Sequence, residues 1–372
     1  MTKQAAQFET DPYFVGPVTD FLFIGGLSLL LFPLLYLFVD DAYLSTLLIG
    51  AFVVQFVINF PHFSATIFRL YHSRENRMSF PVTAFVIPVI VLAMTLAALF
   101  SLKLFAAVFI MIYFLWSPYH FSGQSSGVTM IYARRNNYRI DKRERIFLSG
   151  FIFSSFLISF LWSLQNKYGG RDIDDVTATE QLFGNSLYTL NVPDWVLIPL
   201  GIVIAISAGM FFFLIARQTI KKKEKYPPFM LFLPAIAHFV WFTFSSRFGV
   251  FAFIALVPLF HSLQYLYIAW AVQLKEKYGT DAQQPLNHRK VRRETLDWYF
   301  TNIVGGMVMF AVLPSVFSKV LDIPFLVSFF IIATGFQIHH FFVDGVIWKL
   351  RNPNALAALT RRVDIAPAKD RS

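Results

Sequence analysis

The chain has 372 residues, of which 56% are hydrophobic and 15% charged, and it carries a formal net charge of +10 at pH 7. Soluble domains run at roughly 45–50% apolar and about 25% charged, so this composition points to the membrane. Cysteine is absent, which excludes disulfides, thiolate metal sites and Cys nucleophiles.

Any metal must therefore be held by His, Asp, Glu or other oxygen donors. Phenylalanine is the outlier, with 45 residues; its apolar surface suits a lipid face or an apolar ligand channel. The N-terminal stretch MTKQAAQFETDPYFVGP lacks the pattern of a cleaved signal peptide, so the first apolar run is expected to remain as a helix. The positive charge gives no reason to expect a nucleic-acid partner, because in a membrane protein the placement of charge says more than its sum.

Apolar runs predict an all-α, polytopic helical bundle of about ten spans, near 18–39, 43–70, 80–101, 103–133, 145–165, 194–217, 227–246, 248–274, 296–318 and 322–350. One transmembrane domain, 18–350, is expected between an N-terminal segment, 1–17, and a C-terminal tail, 351–372. Basic residues follow the even-numbered spans. Arg69, Arg74 and Arg77 follow the second, RRNNYRIDKRER the fourth, KKKEK the sixth, KEK and HRKVRR the eighth, and KLR the tenth. The opposite connections, VDDAY, SLK, SSRFG and KVLD, are weakly charged. Lys/Arg bias marks the cytoplasmic side, so both termini are expected there and the protein in the cell (inner) membrane. A long outer loop, 166–194, contains Asp172, Asp174, Asp175 and Glu180. Its spacing fits no EF-hand, and a solvated loop is expected.

Of eight histidines, His72 and His288 lie in basic segments. The other six, His62, His120, His238, His261, His339 and His340, fall within spans. Counted from the nearest cytoplasmic residues at 1.5 Å per residue, they lie on the order of 10–20 Å deep. The second, fourth, seventh, eighth and tenth spans therefore supply one layer. Prolines accompany them: Pro61, Pro118, Pro234 and Pro258. Four kinks bent around a shared cavity are expected, although proline is common in membrane helices in any case.

A single intramembrane histidine is most simply a hydrogen-bonding group between helices. Six at one depth point instead to a metal, because neutral imidazole is the commonest metal ligand. His339 and His340 differ by about 100° around their helix and need not share a role. His340 and Asp344 share a face, so Asp344 is a candidate for direct ligation, for orienting a ligand, or for a plain His–Asp bond between helices. Tyr265, one turn after His261, is a candidate catalytic group with packing as the alternative. Gln124 and Asn59 are candidate polar partners of His120 and His62. Gly123, Ser126 and Gly127 would let a helix or a slender ligand come close. Arg247 and Asp297 sit near span ends and are expected at the interface. The donor types suit Fe, Mn, Cu or Zn; no HExxH motif is present for a zinc hydrolase.

Four segments, FPHFSA at His62, YHFSGQ at His120, FHSLQY at His261 and IHHFFVD from His339 to Asp344, together resemble the histidine segments of the Brp/Blh family of membrane-bound β-carotene 15,15′-dioxygenases, in order and local chemistry. Tyr265 stands where that family has a second histidine, and Thr66 where it has an aspartate. The resemblance implies non-haem Fe(II), O2 as co-substrate and an apolar, lipid-phase substrate of carotenoid, isoprenoid or lipid type. Competing readings are a membrane desaturase or hydroxylase, a haem protein, and a proton-coupled or small-molecule transporter with structural histidines. The chain has no HxxxH-type boxes, no paired haem histidines on one helix and no internal repeat to favour them. Nothing in the sequence sets the oligomeric state.

Overall fold

The computed structural model describes residues 12–38, 41–163, 193–221, 229–247, 250–278, 287–349 and 359. The expected outer loop and both outermost tails lie almost wholly outside these residues. Among the described residues every regular element is helical: α1 Pro17–Phe38, α2 Asp41–Gln55, α3 Asn59–His72, α4 Arg74–Ser79, α5 Val82–Phe100, α6 Ala107–Arg135, α7 Lys142–Ser163, α8 Asp194–Lys221, α9 Phe229–Arg247, α10 Val250–Tyr278, α11 His288–Leu321 and α12 Phe325–Ile347. Six stretches are long and apolar enough to cross a membrane: α1, the end of α2 with α3 (Ile49–His72), α5, α8, α11 and α12. The other four apolar segments expected from the sequence fall on α6, α7, α9 and α10. In α6 the apolar run is interrupted midway by Ser117, Pro118, His120, Ser122 and Gln124.

The four prolines differ in whether they stand beside a break in the helix. Only Pro61 lies beside a break, the turn at 56–58 that separates α2 from α3. Proline has no N–H for the carbonyl four residues back, here that of Val57. The hydroxyl of Tyr299 on α11 donates to that carbonyl instead. Pro118, Pro234 and Pro258 lie inside α6, α9 and α10, which run on as single helices.

α3 is central. It packs on α10, α11 and α12, while α6 packs on α9 and α12. The α3–α11 crossing is close because α11 offers glycines there. A Cβ placed on Gly306 would lie 2.6 Å from the Phe60 backbone. This contact seats the first turn of α3, and with it His62, against the bundle. Next to it Phe60 stacks on Phe310 with ring centres 4.5 Å apart, and Phe63 packs on the same ring at 5.0 Å. These phenylalanines fill space beside His62; they pack on one another.

Two further polar arrangements set the ends of helices. Asp141 and Glu144 form a capping box at the start of α7: Glu144 N–H donates to Asp141 Oδ1 at 2.8 Å and Asp141 N–H to Glu144 Oε2 at 2.9 Å. Ahead of α1, residues 13–16 cross the ends of α6 and α10. There the fully buried Asp20 carboxylate accepts bonds from the backbone N–H of Phe14, Val15 and Gly16 and from the hydroxyls of Tyr132 and Tyr267. Buried Arg135 donates to the Tyr13 and Leu359 carbonyls and lies over the Phe14 ring.

Candidate metal centre

Each of four helices brings one imidazole to the same place: His62 from α3, His120 from α6, His261 from α10 and His340 from α12. Their ring centres form a closed quadrilateral. The edges are 4.3 Å for His62–His340, 4.9 Å for His340–His120, 5.1 Å for His120–His261 and 5.2 Å for His261–His62. A ring nitrogen sits about 2.1 Å from a bound ion, so the ring centre lies roughly 3 Å away and neighbouring rings are about 4.5–5 Å apart. The observed edges, 4.3–5.2 Å, scatter around that range, so the four rings are spaced closely enough to surround one ion.

The nitrogens agree with the rings. His340 Nε2 is 3.2 Å from His120 Nε2 and 3.1 Å from Asp344 Oδ2, and His120 Nε2 is 3.7 Å from the same oxygen. Donor atoms of His62, His261 and His340 also lie within 4.8 Å of one another, as do those of His120, His340 and Asp344. Among the described residues, no hydrogen-bond partner reaches His62 Nε2 or either nitrogen of His261, all of them buried. A buried polar atom left unpartnered costs about 1–3 kcal/mol; an ion here would engage His62 Nε2 and one nitrogen of His261, the other nitrogen of that ring keeping its proton. The donor set of four imidazoles and a carboxylate, with no thiolate, fits Fe, Mn, Cu or Zn.

Around the centre the shell is aromatic. Phe341 stacks on His120 at 4.5 Å, Phe121 lies 4.4 Å from His261 and Phe63 4.9 Å from His340. His62, His261 and His340 are closed off, at 1%, 1% and 0% exposure, whereas the side chains of His120 and Asp344 keep 9% and 7%. What exposure the centre keeps is thus at the α6 and α12 side chains His120 and Asp344. Among the described residues, nothing lies within 4 Å of a Cβ placed on Gly123, Gly127 or Gly345. The glycines of α6 therefore face open space rather than a neighbouring helix, and the close helix approach is made by Gly306 instead.

Asp344 is held in place from its other oxygen. Trp348 Nε1 donates to Oδ1 at 3.3 Å, and Thr66 Oγ1 lies 3.4 Å from it and 2.6 Å from the Tyr265 hydroxyl. The Trp348 ring in turn carries the Arg69 guanidinium at 4.5 Å, and Arg69 pairs with Glu276 at 2.8 Å. Tyr265 reaches Asp344 through Thr66, and its ring packs on His62 at 4.5 Å. Thr66 and Trp348 were not singled out as site residues by the sequence. Trp348 could have been, since it stands one helical turn after Asp344 and so on its face.

Three candidates lie elsewhere. His339 turns from the centre towards α3 and α5, with Nε2 3.5 Å from the Tyr71 hydroxyl. His238 is fully engaged, with Nε2 3.1 Å from the Ile152 carbonyl and Nδ1 3.3 Å from Ser125 Oγ, as a histidine bonding between helices is. Gln124 donates to the His261 main-chain carbonyl and to Gln264 Oε1, both at 3.0 Å, and so joins α6 to α10. Of the interfacial candidates, Asp297 is exposed and lies 3.7 Å from Arg293; the Arg247 side chain is outside the described residues.

No protein-family model matches the chain, and neither a curated protein nor a solved structure does.

Proposed function

We propose that this chain is a membrane-embedded oxygenase that holds non-haem Fe(II) on His62, His120, His261 and His340 and acts with O2 on a long apolar substrate of carotenoid, isoprenoid or lipid type. The observation that carries the proposal is the closed quadrilateral of imidazoles with unpartnered nitrogens at His62 and His261. The likeness of the four histidine segments to those of the β-carotene dioxygenases selects iron among the metals the donors suit. When bound, Fe(II) would supply the activation of O2.

The chain's own residues do the rest. The four helices hold the imidazoles at fixed separations. Phe63, Phe121 and Phe341 exclude water from their far sides and so limit side reactions of activated oxygen. Asp344, anchored through Oδ1, presents Oδ2 beside the His340 and His120 nitrogens. There it either completes the donor set or accepts a proton. Tyr265 and Thr66 supply a hydroxyl pair next to that carboxylate. An apolar substrate would approach from the bilayer on the side of His120, Gly123 and Gly345, where the glycines leave space and the His120 and Asp344 side chains keep slight exposure. The same proposal includes ten crossings, both termini on the cytoplasmic side and residence in the inner membrane, supported by the run of basic clusters after each even span.

The test is oxygen uptake by the purified chain in lipid nanodiscs, loaded with Fe(II) and offered β-carotene, other isoprenoids and unsaturated lipids in turn. Uptake matched by an oxygenated or cleaved product, with 18O from 18O2 in it, is the expected result. An iron-loaded protein that consumes no O2 with any of these, but moves protons or solutes in vesicles, would replace the oxygenase by a transporter.

A further inference from the structure

An imidazole can ligate only through a nitrogen that carries no proton. At His62 the surroundings decide which nitrogen that is. Nδ1 lies 3.1 Å from Ser262 Oγ, and the same oxygen lies 2.7 Å from Asn59 Oδ1, to which it donates. Asn59 Nδ2 donates onward to Gln55 Oε1 at 3.0 Å. A serine hydroxyl has one proton. Since it is given to Asn59, Oγ faces His62 as an acceptor, and Nδ1 must bear the ring proton. Nε2, buried and without a partner, keeps its lone pair.

Ser262, Asn59 and Gln55 are all buried, at 0%, 7% and 5% exposure, so water does not substitute for any link. The line of donors could also run backwards. With both amides turned over, Ser262 would donate to Nδ1, and Nε2 would be protonated and unable to ligate. The direction of this short relay and the availability of His62 are therefore one and the same choice.

We propose that Ser262 and Asn59 are positioning residues that fix His62 as its Nδ1–H tautomer and so present Nε2 to the metal. The proposal rests on the metal-centre reading above. It also gives α10 a double part, because His261 supplies a donor while its neighbour Ser262 orients the donor on α3. Partners of this kind typically change metal affinity by about 10–100-fold when removed.

The experiment uses the full chain in detergent. Fe(II) affinity is measured for the wild type, Ser262→Ala and Ser262→Thr, and histidine-15N NMR is recorded with and without Zn(II). Ser262→Ala is expected to weaken Fe(II) by about 10-fold or more, with Ser262→Thr restoring it because the hydroxyl returns. In the wild type His62 is expected to show a proton on Nδ1, and in Ser262→Ala that signal shifts. A His62 proton on Nε2, or equal affinity and an unmoved Nδ1 signal in Ser262→Ala, overturns the proposal. If Ser262→Ala does not fold, the tautomer in the wild type decides. A wild type that binds no metal would sink the oxygenase reading, and the tautomer in that metal-free protein would still decide the relay.

Discussion

Asp20 and His261 are buried alike, at 0% and 1% exposure, yet their polar atoms are treated in opposite ways. Asp20 accepts from three backbone N–H groups and two tyrosine hydroxyls, at 2.5–3.2 Å. Every lone pair that matters is used, and the cluster ties the segment before α1 to α6 and α10. His261 lies among three other imidazoles and, among the described residues, meets no hydrogen-bond partner at either nitrogen. A fully satisfied buried cluster rigidifies a fold, while one left partly open is costly and needs a reason. The first is a fastening. The second belongs to the metal centre proposed above, and substitutions should separate the two.

The sharpest contrast is expected from His261→Ala. It removes no protein hydrogen bond, so the bundle should survive, but iron content should fall from about one per chain to roughly a tenth or less. Metal analysis together with a thermal melt in detergent checks both halves. Asp20→Ala should do the reverse. Tyr132, Tyr267 and three backbone N–H groups lose their acceptor, and stability should drop by about 3 kcal/mol or more, read from denaturant unfolding, while the folded fraction keeps its iron.

Smaller effects sharpen the boundary of the site. Trp348→Phe keeps the ring under Arg69 but deletes the N–H that holds Asp344 Oδ1. Fe(II) affinity should weaken by about tenfold with little change in melting temperature; a loss of stability without a loss of affinity would make Trp348 part of the fastening. Gly123→Ala adds a methyl group where nothing lies within 4 Å. It should stabilise the chain by about 0.5–1 kcal/mol through helix propensity, and a loss of oxygen uptake alongside that gain would report substrate approach.

Residue counting along the sequence yields an expected depth for each histidine but not its direction. Counting residues from the basic clusters gives height along the membrane normal, which His238 shares with His261. It does not say which way a helix is turned, and α9 turns His238 to Ile152 and Ser125. His339 and His340 pose the same problem one residue apart, and packing of α12 sends His340 to the centre and His339 to Tyr71. The helical class was legible because long apolar runs have few alternatives. The Asp20 fastening was not, because its donors are backbone groups and tyrosines more than a hundred residues away. Ser262 was hidden for a related reason: its role comes from a contact with α3 that no spacing within α10 announces.

The most direct test of the account is metal analysis of the purified chain, with an absorption spectrum of the same sample. The account predicts about one iron per chain and no haem band. No bound metal, even after anaerobic reconstitution with Fe(II), would contradict it and leave the four histidines as polar contacts between helices.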